Sequence, residues 1–347
     1  MRPVLASAIF GAAVLAWLGA FSEMRAQAAT ENDVVFSEYS KLSSNLELAR
    51  RMLSPLEAAQ LPQLLAQMGK GLREQPIDLA QETFALAVPS QPPPPKGYGL
   101  IVFVPPWDSE KFPGEWLPVL DRYGFIMVSA AHSGNDKTVL GRRAPLALLA
   151  EQNVVRHYPV DPERIFISGF SGGSRVAMQL AVAYPDVFRG AILNAGGDRI
   201  GTSASPLPPR DLFLQFQSTS RLVYVTGDED TRMLNSSSSS IRYAHDWCVF
   251  GMDSEVEHAT DHEAMSASAL ARALDTLLAM HKPDDAKLAS CRAGIETDLD
   301  AKLQQVQSLI AGGNRDAAQQ LLNEIDAQFG GLAAPRSLDL QRSLTPQ

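Results

Sequence analysis

Cysteine is scarce in this chain: Cys248 and Cys291 are the only two in 347 residues. Neither stands in a C-x-x-C or other metal-ligand spacing, which argues against a zinc site. Basic residues are in deficit, with 30 Lys and Arg against 39 Asp and Glu and a formal net charge of −9. No basic cluster is present to neutralise phosphates, so nucleic acid is excluded as a partner. Long apolar runs are absent after the first one, Val4 to Phe21, so no later segment has the length to span a bilayer. That first run follows Arg2 and precedes Ala26-Gln27-Ala28. A basic start, an apolar stretch and an A-x-A site predict a secretory signal peptide over residues 1–28. The expectation is an exported protein, periplasmic or secreted, with no membrane attachment after cleavage. Export permits a disulfide between Cys248 and Cys291.

Residues 29–347 are long enough for one large α/β domain with smaller additions. Apolar spacing at Leu46, Leu48, Met52 and Leu53, then at Leu61, Leu64, Leu65 and Met68, predicts an N-terminal helical extension over 29–75, broken into short helices by Pro55 and Pro62. From 76 to 283 strand and helix patterns alternate. Strands are expected at 83–88, 100–104, 125–128, 165–168, 191–193, 222–225 and 254–258, and helices at about 145–157, after Ser171, and at about 264–280. Such alternation implies a mainly parallel sheet with helices on both faces. The serine run Ser236–Ser240 reads as a mobile loop. Residues 284–347 differ in kind. Ile295, Leu299, Leu303, Val306 and Ile310 make one helical stripe, and Ala318, Leu321, Leu322, Ile325 and Phe329 make another across a Gly312-Gly313-Asn314 turn. They predict a helical hairpin that packs on the main domain, too short to stack as a solenoid.

The most informative stretch is Ile165-Phe166-Ile167-Ser168-Gly169-Phe170-Ser171-Gly172-Gly173. A short apolar strand ends in G-x-S-x-G and a helical pattern begins at once, which is the arrangement of a nucleophile elbow. Gly169 and Gly173 let strand and helix approach closely, and the helix turns its positive end toward the serine. Upstream stands Asp161-Pro162-Glu163-Arg164, and downstream Ala183-Tyr184-Pro185-Asp186-Val187-Phe188-Arg189-Gly190. With these segments the chain resembles the α/β-hydrolase superfamily, and within it the polyhydroxybutyrate depolymerase-like and feruloyl-esterase-like exported serine esterases. The resemblance covers roughly residues 76–283. It implies the α/β-hydrolase fold, hydrolysis of a small-molecule or polymer ester through an acyl-enzyme, and no cofactor.

In that superfamily the nucleophile is followed in the chain by an acid and then by a histidine. After Ser171 the acid is expected just past the strand at 222–225, where Asp228, Glu229 and Asp230 compete; Asp230 holds the strand-Gly-x-x-Asp position, and Asp198 is a weaker candidate. Among the six histidines, His132, His157, His245, His258, His262 and His281, only those after Asp230 fit the order. His262, in the loop after the last strand, is preferred to His258 at the strand's end. An oxyanion hole needs two backbone N–H groups. Gly172 supplies one, and Trp107 is the first residue able to supply the other, because Pro105 and Pro106 have no N–H. This proline pair departs from the His-Gly loop of lipases. It is the best argument for one alternative, a non-catalytic scaffold that binds a partner; a serine peptidase is the nearest enzymatic alternative.

Overall fold

A computed structural model of the protein describes residues 29–69, 71, 73–279 and 284–344. The expected signal peptide and His281 lie outside the described residues. The described strands are β1 (Ala29–Val34), β2 (Phe84–Val88), β3 (Tyr98–Val104), β4 (Phe125–Ala130), β5 (Val160–Phe170), β6 (Gly190–Asn194), β7 (Arg221–Gly227) and β8 (Met252–Glu257). They form one sheet in the order β1-β2-β4-β3-β5-β6-β7-β8. β2 runs antiparallel to both β1 and β4, and every pairing from β4 through β8 is parallel.

The described helices are α1 (Asn45–Met52), α2 (Pro55–Gln67), α3 (Leu117–Tyr123), α4 (Ala144–His157), α5 (Gly172–Ala183), α6 (Arg210–Thr219), α7 (Thr231–Asp246), α8 (Ala267–Leu278), α9 (Asp285–Ala311), α10 (Arg315–Phe329) and α11 (Arg336–Leu344). Side chains alternate across the central strands. Leu100, Val102, Val104, Ile165 and Ile167 join the larger apolar cluster, with α1, α4, α5 and α6 and the C-terminal helices. Ile101, Phe103, Phe166 and Phe170 join the other, with α3 and α8. Each buried Val, Leu, Ile or Phe stabilises the fold by about 1.5–3 kcal/mol, so the strands are held from both faces. Among the described residues no helix is long and apolar enough to cross a membrane.

Three local expectations are corrected. Residues 29–75 open on a strand, β1, and not on a helix. Its sequence, ATENDV, is polar and mostly exposed, so the ladder to β2 holds it and no apolar alternation announces it. Pro62 lies inside α2 and does not end it; the helix is largely exposed there, and the carbonyl freed by the missing N–H can turn to water. Ser236–Ser240 is helical, within α7. Its serines bind inward: the Ser240 hydroxyl donates to the Asp198 carbonyl at 2.6 Å and meets the Tyr224 hydroxyl at 2.9 Å.

The C-terminal stripes form α9 and α10, and a further helix, α11, follows. The segment is pinned to the domain by several kinds of contact. Cys248 and Cys291 are bonded, with Cα atoms 5.8 Å apart. The Arg292 guanidinium donates to Gln217 Oε1, the Leu214 carbonyl and the Ser218 hydroxyl, Arg210 pairs with Glu296, and Phe329 meets Trp247 edge-on at 5.5 Å.

Candidate active site

Ser171 stands between β5 and α5 with φ 53° and ψ −117°, a conformation that costs a non-glycine residue energy and persists only where its surroundings enforce it. Here they do. The Ser171 N–H donates to the Asn194 carbonyl at 2.9 Å, and the Ser171 carbonyl accepts from Ser174 N at 3.1 Å. The flanking glycines are required by contact: a Cβ on Gly169 would lie 2.3 Å from the Gly173 carbonyl carbon, and one on Gly173 would lie 1.9 Å from the Val104 oxygen. The serine is thereby lifted beyond the C-terminal ends of the parallel strands, where open α/β sheets bind ligands.

Asp230 and His262 reach the same point from the loops after β7 and β8. His262 Nδ1 is 2.6 Å from Asp230 Oδ2, and His262 Nε2 is 2.8 Å from Ser171 Oγ. Asp230 is buried and caps α7, its Oδ1 accepting from Met233 N at 3.1 Å. The imidazole packs against Phe170, ring centroids 5.1 Å apart. The histidine loop is tied to the sheet by Asn194, whose Oδ1 accepts from Met265 N at 2.7 Å.

The competing candidates do not join this chain of contacts. His258, with a side chain 92% exposed, bonds Asp228 at 3.0 Å, and that bond holds the Asp228 carboxyl below its usual range. Asp198 shares the cleft of Ser171, but its Oδ2 accepts from Gln179 Nε2 at 2.6 Å. Burial pushes its carboxyl above the ordinary range, against the pull of the Gln179 bond.

On the other side of the serine, the Pro105–Trp107 loop backs onto the start of α5, since a Cβ on Gly173 would lie 3.2 Å from the Pro105 carbonyl carbon. Both proline carbonyls are engaged: Pro105 O accepts from Arg143 Nη2 at 2.9 Å, and Pro106 O accepts from Asn135 N at 3.0 Å. Among the described residues, the N–H groups of Gly172 and Trp107 have no hydrogen-bond partner. The Trp107 ring packs on Phe103 and Phe170, at 6.1 and 6.2 Å between centroids, and its Nε1 donates to the Lys111 carbonyl.

A parallel sheet with one antiparallel strand near its edge, an elbow serine after the fifth strand, and an acid and a histidine after the seventh and eighth decide the architecture. The fold is that of an α/β-hydrolase. Neither a protein-family model nor a curated protein sequence matches the chain. Among solved structures it is similar to a ferulic acid esterase, at 12% identity and TM-score 0.46, over 72% of this chain and 98% of that one. It is similar also to FphF, a fluorophosphonate-binding serine hydrolase of Staphylococcus aureus, at 14% identity and TM-score 0.43, over 57% of this chain and 93% of that one. A Bacteroides ovatus protein described as a dipeptidyl aminopeptidase IV shows 15% identity and TM-score 0.41 over 56% of this chain, which spans only 33% of its length. The α/β-hydrolase assignment rests on the sheet order, the elbow and the chain order of the three groups, and on none of these likenesses.

Around Ser171 the α/β-hydrolase fold leaves an open cleft of about 470 Å³, lined by Asn135, Arg143, Arg175, Gln179, Asp198 and Arg232 among others. Sequence reasoning missed Asn135 and the three arginines. Asn135 comes from the loop after β4 and lies against Gly172, where a Cβ would be 2.1 Å from its Oδ1. Nothing in its local sequence, Gly134-Asn135-Asp136, distinguishes it from an ordinary turn. Among the described residues no cluster of His, Cys, Asp or Glu is disposed to hold a metal ion.

Proposed function

We propose that the protein is an exported serine hydrolase that cleaves carboxylic esters through an acyl-enzyme. The observation that carries this reading is the continuous chain Asp230–His262–Ser171, with links of 2.6 and 2.8 Å. A serine hydroxyl is a weak nucleophile until a base takes its proton, and that base needs a third group to orient it. Ser171 Oγ attacks the ester carbonyl carbon and passes its proton to His262 Nε2. Asp230 holds the imidazole with Nδ1 protonated and stabilises the imidazolium that forms. The negative charge on the former carbonyl oxygen falls to the free N–H groups of Gly172 and Trp107, aided by the α5 N-terminus. The His262 proton then goes to the departing alcohol oxygen as the C–O bond breaks, leaving acyl-Ser171. Water repeats the sequence: His262 takes its proton, its oxygen attacks the acyl carbon, and Ser171 regains the proton as the carboxylic acid leaves.

The Cys248–Cys291 bond supports export, because disulfides persist in oxidising compartments. A periplasmic or secreted location therefore forms part of the proposal, as does release from the membrane after removal of residues 1–28. The test is hydrolysis of short p-nitrophenyl esters alongside matched p-nitroanilides, by wild type and by Ser171→Ala. The expected result is ester turnover that falls by about 10⁴- to 10⁶-fold in the variant. Anilide turnover exceeding ester turnover would replace the esterase reading with a peptidase one. Retained turnover in Ser171→Ala would remove the nucleophile assignment.

A further inference from the structure

The cleft beside Ser171 is cationic in an otherwise acidic protein. Arg143, Arg175 and Arg232 line it, against the single lining carboxylate outside the Asp230–His262–Ser171 chain, Asp198, while the whole chain carries −9. The three guanidinium groups are poorly compensated. Arg232, exposed at the start of α7, has a guanidinium with no ion pair or hydrogen bond among the described residues. Arg175, one turn along α5 from Ser171, approaches Asp198 only to 3.9 Å with its side chain 47% exposed, and Asp198 already accepts from Gln179.

Arg143 is the most telling. It is 4% exposed, makes no ion pair among the described residues, and donates only to the carbonyls of Pro105 and Gly172. Its Nε is buried without a hydrogen-bond partner. Burial lowers its guanidinium to about 10. Asp136, whose field reaches it, is taken up by Lys137 at 2.6 Å. A buried cation without a counter-charge is costly, and here it lies under the point where substrate binds. An anionic ligand in the cleft would offset that cost and meet two exposed guanidinium groups at the mouth, that of Arg175 held by Asp198 only at 3.9 Å. Guanidinium and carboxylate geometries match for charge-assisted, bidentate bonding.

We propose that the cleft selects anionic esters, with a carboxylate a few bonds from the scissile carbonyl held by Arg175 and Arg232 in the field of Arg143. The inference rests on Ser171 being the nucleophile and specifies the substrate class for that site. Arg175 and Arg232 are the residues to change, since both are exposed and the fold does not lean on them.

Two ester pairs locate the charge. p-Nitrophenyl hemisuccinate and its methyl ester place it on the acyl side; 4-acetoxybenzoate and its methyl ester place it on the leaving-group side. In at least one pair, wild type is expected to show kcat/KM about tenfold or more higher for the anion, the worth of one charge-assisted hydrogen bond. The anion-to-neutral ratio should fall about tenfold in Arg175→Ala or Arg232→Ala. It should drop below one in Arg232→Glu, and shrink in 0.5 M NaCl as screening rises. A wild-type ratio at or below one in both pairs overturns the proposal, as does a ratio that survives in the Arg175→Ala/Arg232→Ala double variant. Failure of the esterase reading is separable through binding alone. Succinic acid mono-4-nitroanilide and its methyl ester carry the charge on the acyl side, and 4-acetamidobenzoic acid and its methyl ester on the leaving-group side. Titrated into Ser171→Ala protein, at least one pair should differ about tenfold in Kd in favour of the acid, and the double variant should erase the difference. Equal Kd values in both pairs overturn the cleft proposal whatever the fate of the esterase reading.

Discussion

Changing Asp230 to Asn tests the acid and base assignment at the level of a single proton. Asp230 now accepts from two directions: Oδ2 faces His262 Nδ1 at 2.6 Å, and Oδ1 takes the Met233 N–H at 3.1 Å. A carboxylate can do both, but a carboxamide has one acceptor oxygen and one donor nitrogen. If the Asn oxygen keeps the α7 cap, its NH₂ faces Nδ1 and forces the ring to carry its proton on Nε2. That nitrogen then points a hydrogen at Ser171 Oγ and cannot accept one. If the amide flips, its NH₂ meets the Met233 N–H and the cap is lost, at about 1 kcal/mol. The first arrangement is therefore favoured, and it is the inactive one. A wrong tautomer of this kind lowers kcat by about 10⁴ in trypsin-type triads, equivalent to about 5.5 kcal/mol of barrier. The assay is steady-state hydrolysis of p-nitrophenyl acetate, with urea unfolding to confirm that stability changes by less than about 1 kcal/mol. Asp228→Asn is the control, because Asp228 pairs with the exposed His258; it should stay within about twofold of wild type. Asp230→Asn within tenfold of wild type, or Asp228→Asn losing as much as Asp230→Asn, would refute the assignment.

Two further outcomes concern stability. Glu151 is buried on α4, and burial pushes its carboxyl up to about 7. The folded state therefore keeps a proton that the unfolded state releases near the ordinary value, so stability should fall as pH rises between about 4.5 and 7 and level off above. Glu151→Gln should flatten that slope and raise stability at pH 8 by about 2–3 kcal/mol, while matching wild type near pH 4.5; parallel pH curves from urea unfolding would contradict this. The Cys248–Cys291 bond closes a loop of 43 residues, and its removal in Cys248→Ser/Cys291→Ser should cost about 2–4 kcal/mol. Ester turnover should be retained, with a loss under 0.5 kcal/mol in urea unfolding, or two reactive thiols in unreduced wild type, as the contrary results.

Much of the site is legible in the sequence because it is local. The elbow is five consecutive residues, and each glycine has a steric reason that the folded contacts display. Asp230 and His262 are legible for a topological reason: in a parallel sheet each follows the C-terminal end of its strand, so chain order fixes which loops converge on Ser171. The cationic cleft was not legible. Arg143, Arg175 and Arg232 come from three separate segments, and only the packing of α4, α5 and α7 around the sheet brings them together. The same limit applies to β1, whose polar edge carries no apolar period, and to the serine run of α7. Small polar residues there form a helix because Tyr224 and the Asp198 carbonyl satisfy Ser240 from across the fold, information that no local window contains.

The central claim is that Ser171 is an activated nucleophile, and covalent labelling tests it without knowledge of the substrate. Purified protein incubated with a fluorophosphonate should gain one adduct per chain, mapped by peptide mass spectrometry to Ser171. Labelling should vanish in Ser171→Ala and slow by orders of magnitude in His262→Ala. An unlabelled wild-type protein, or an adduct on any other residue, would contradict the account.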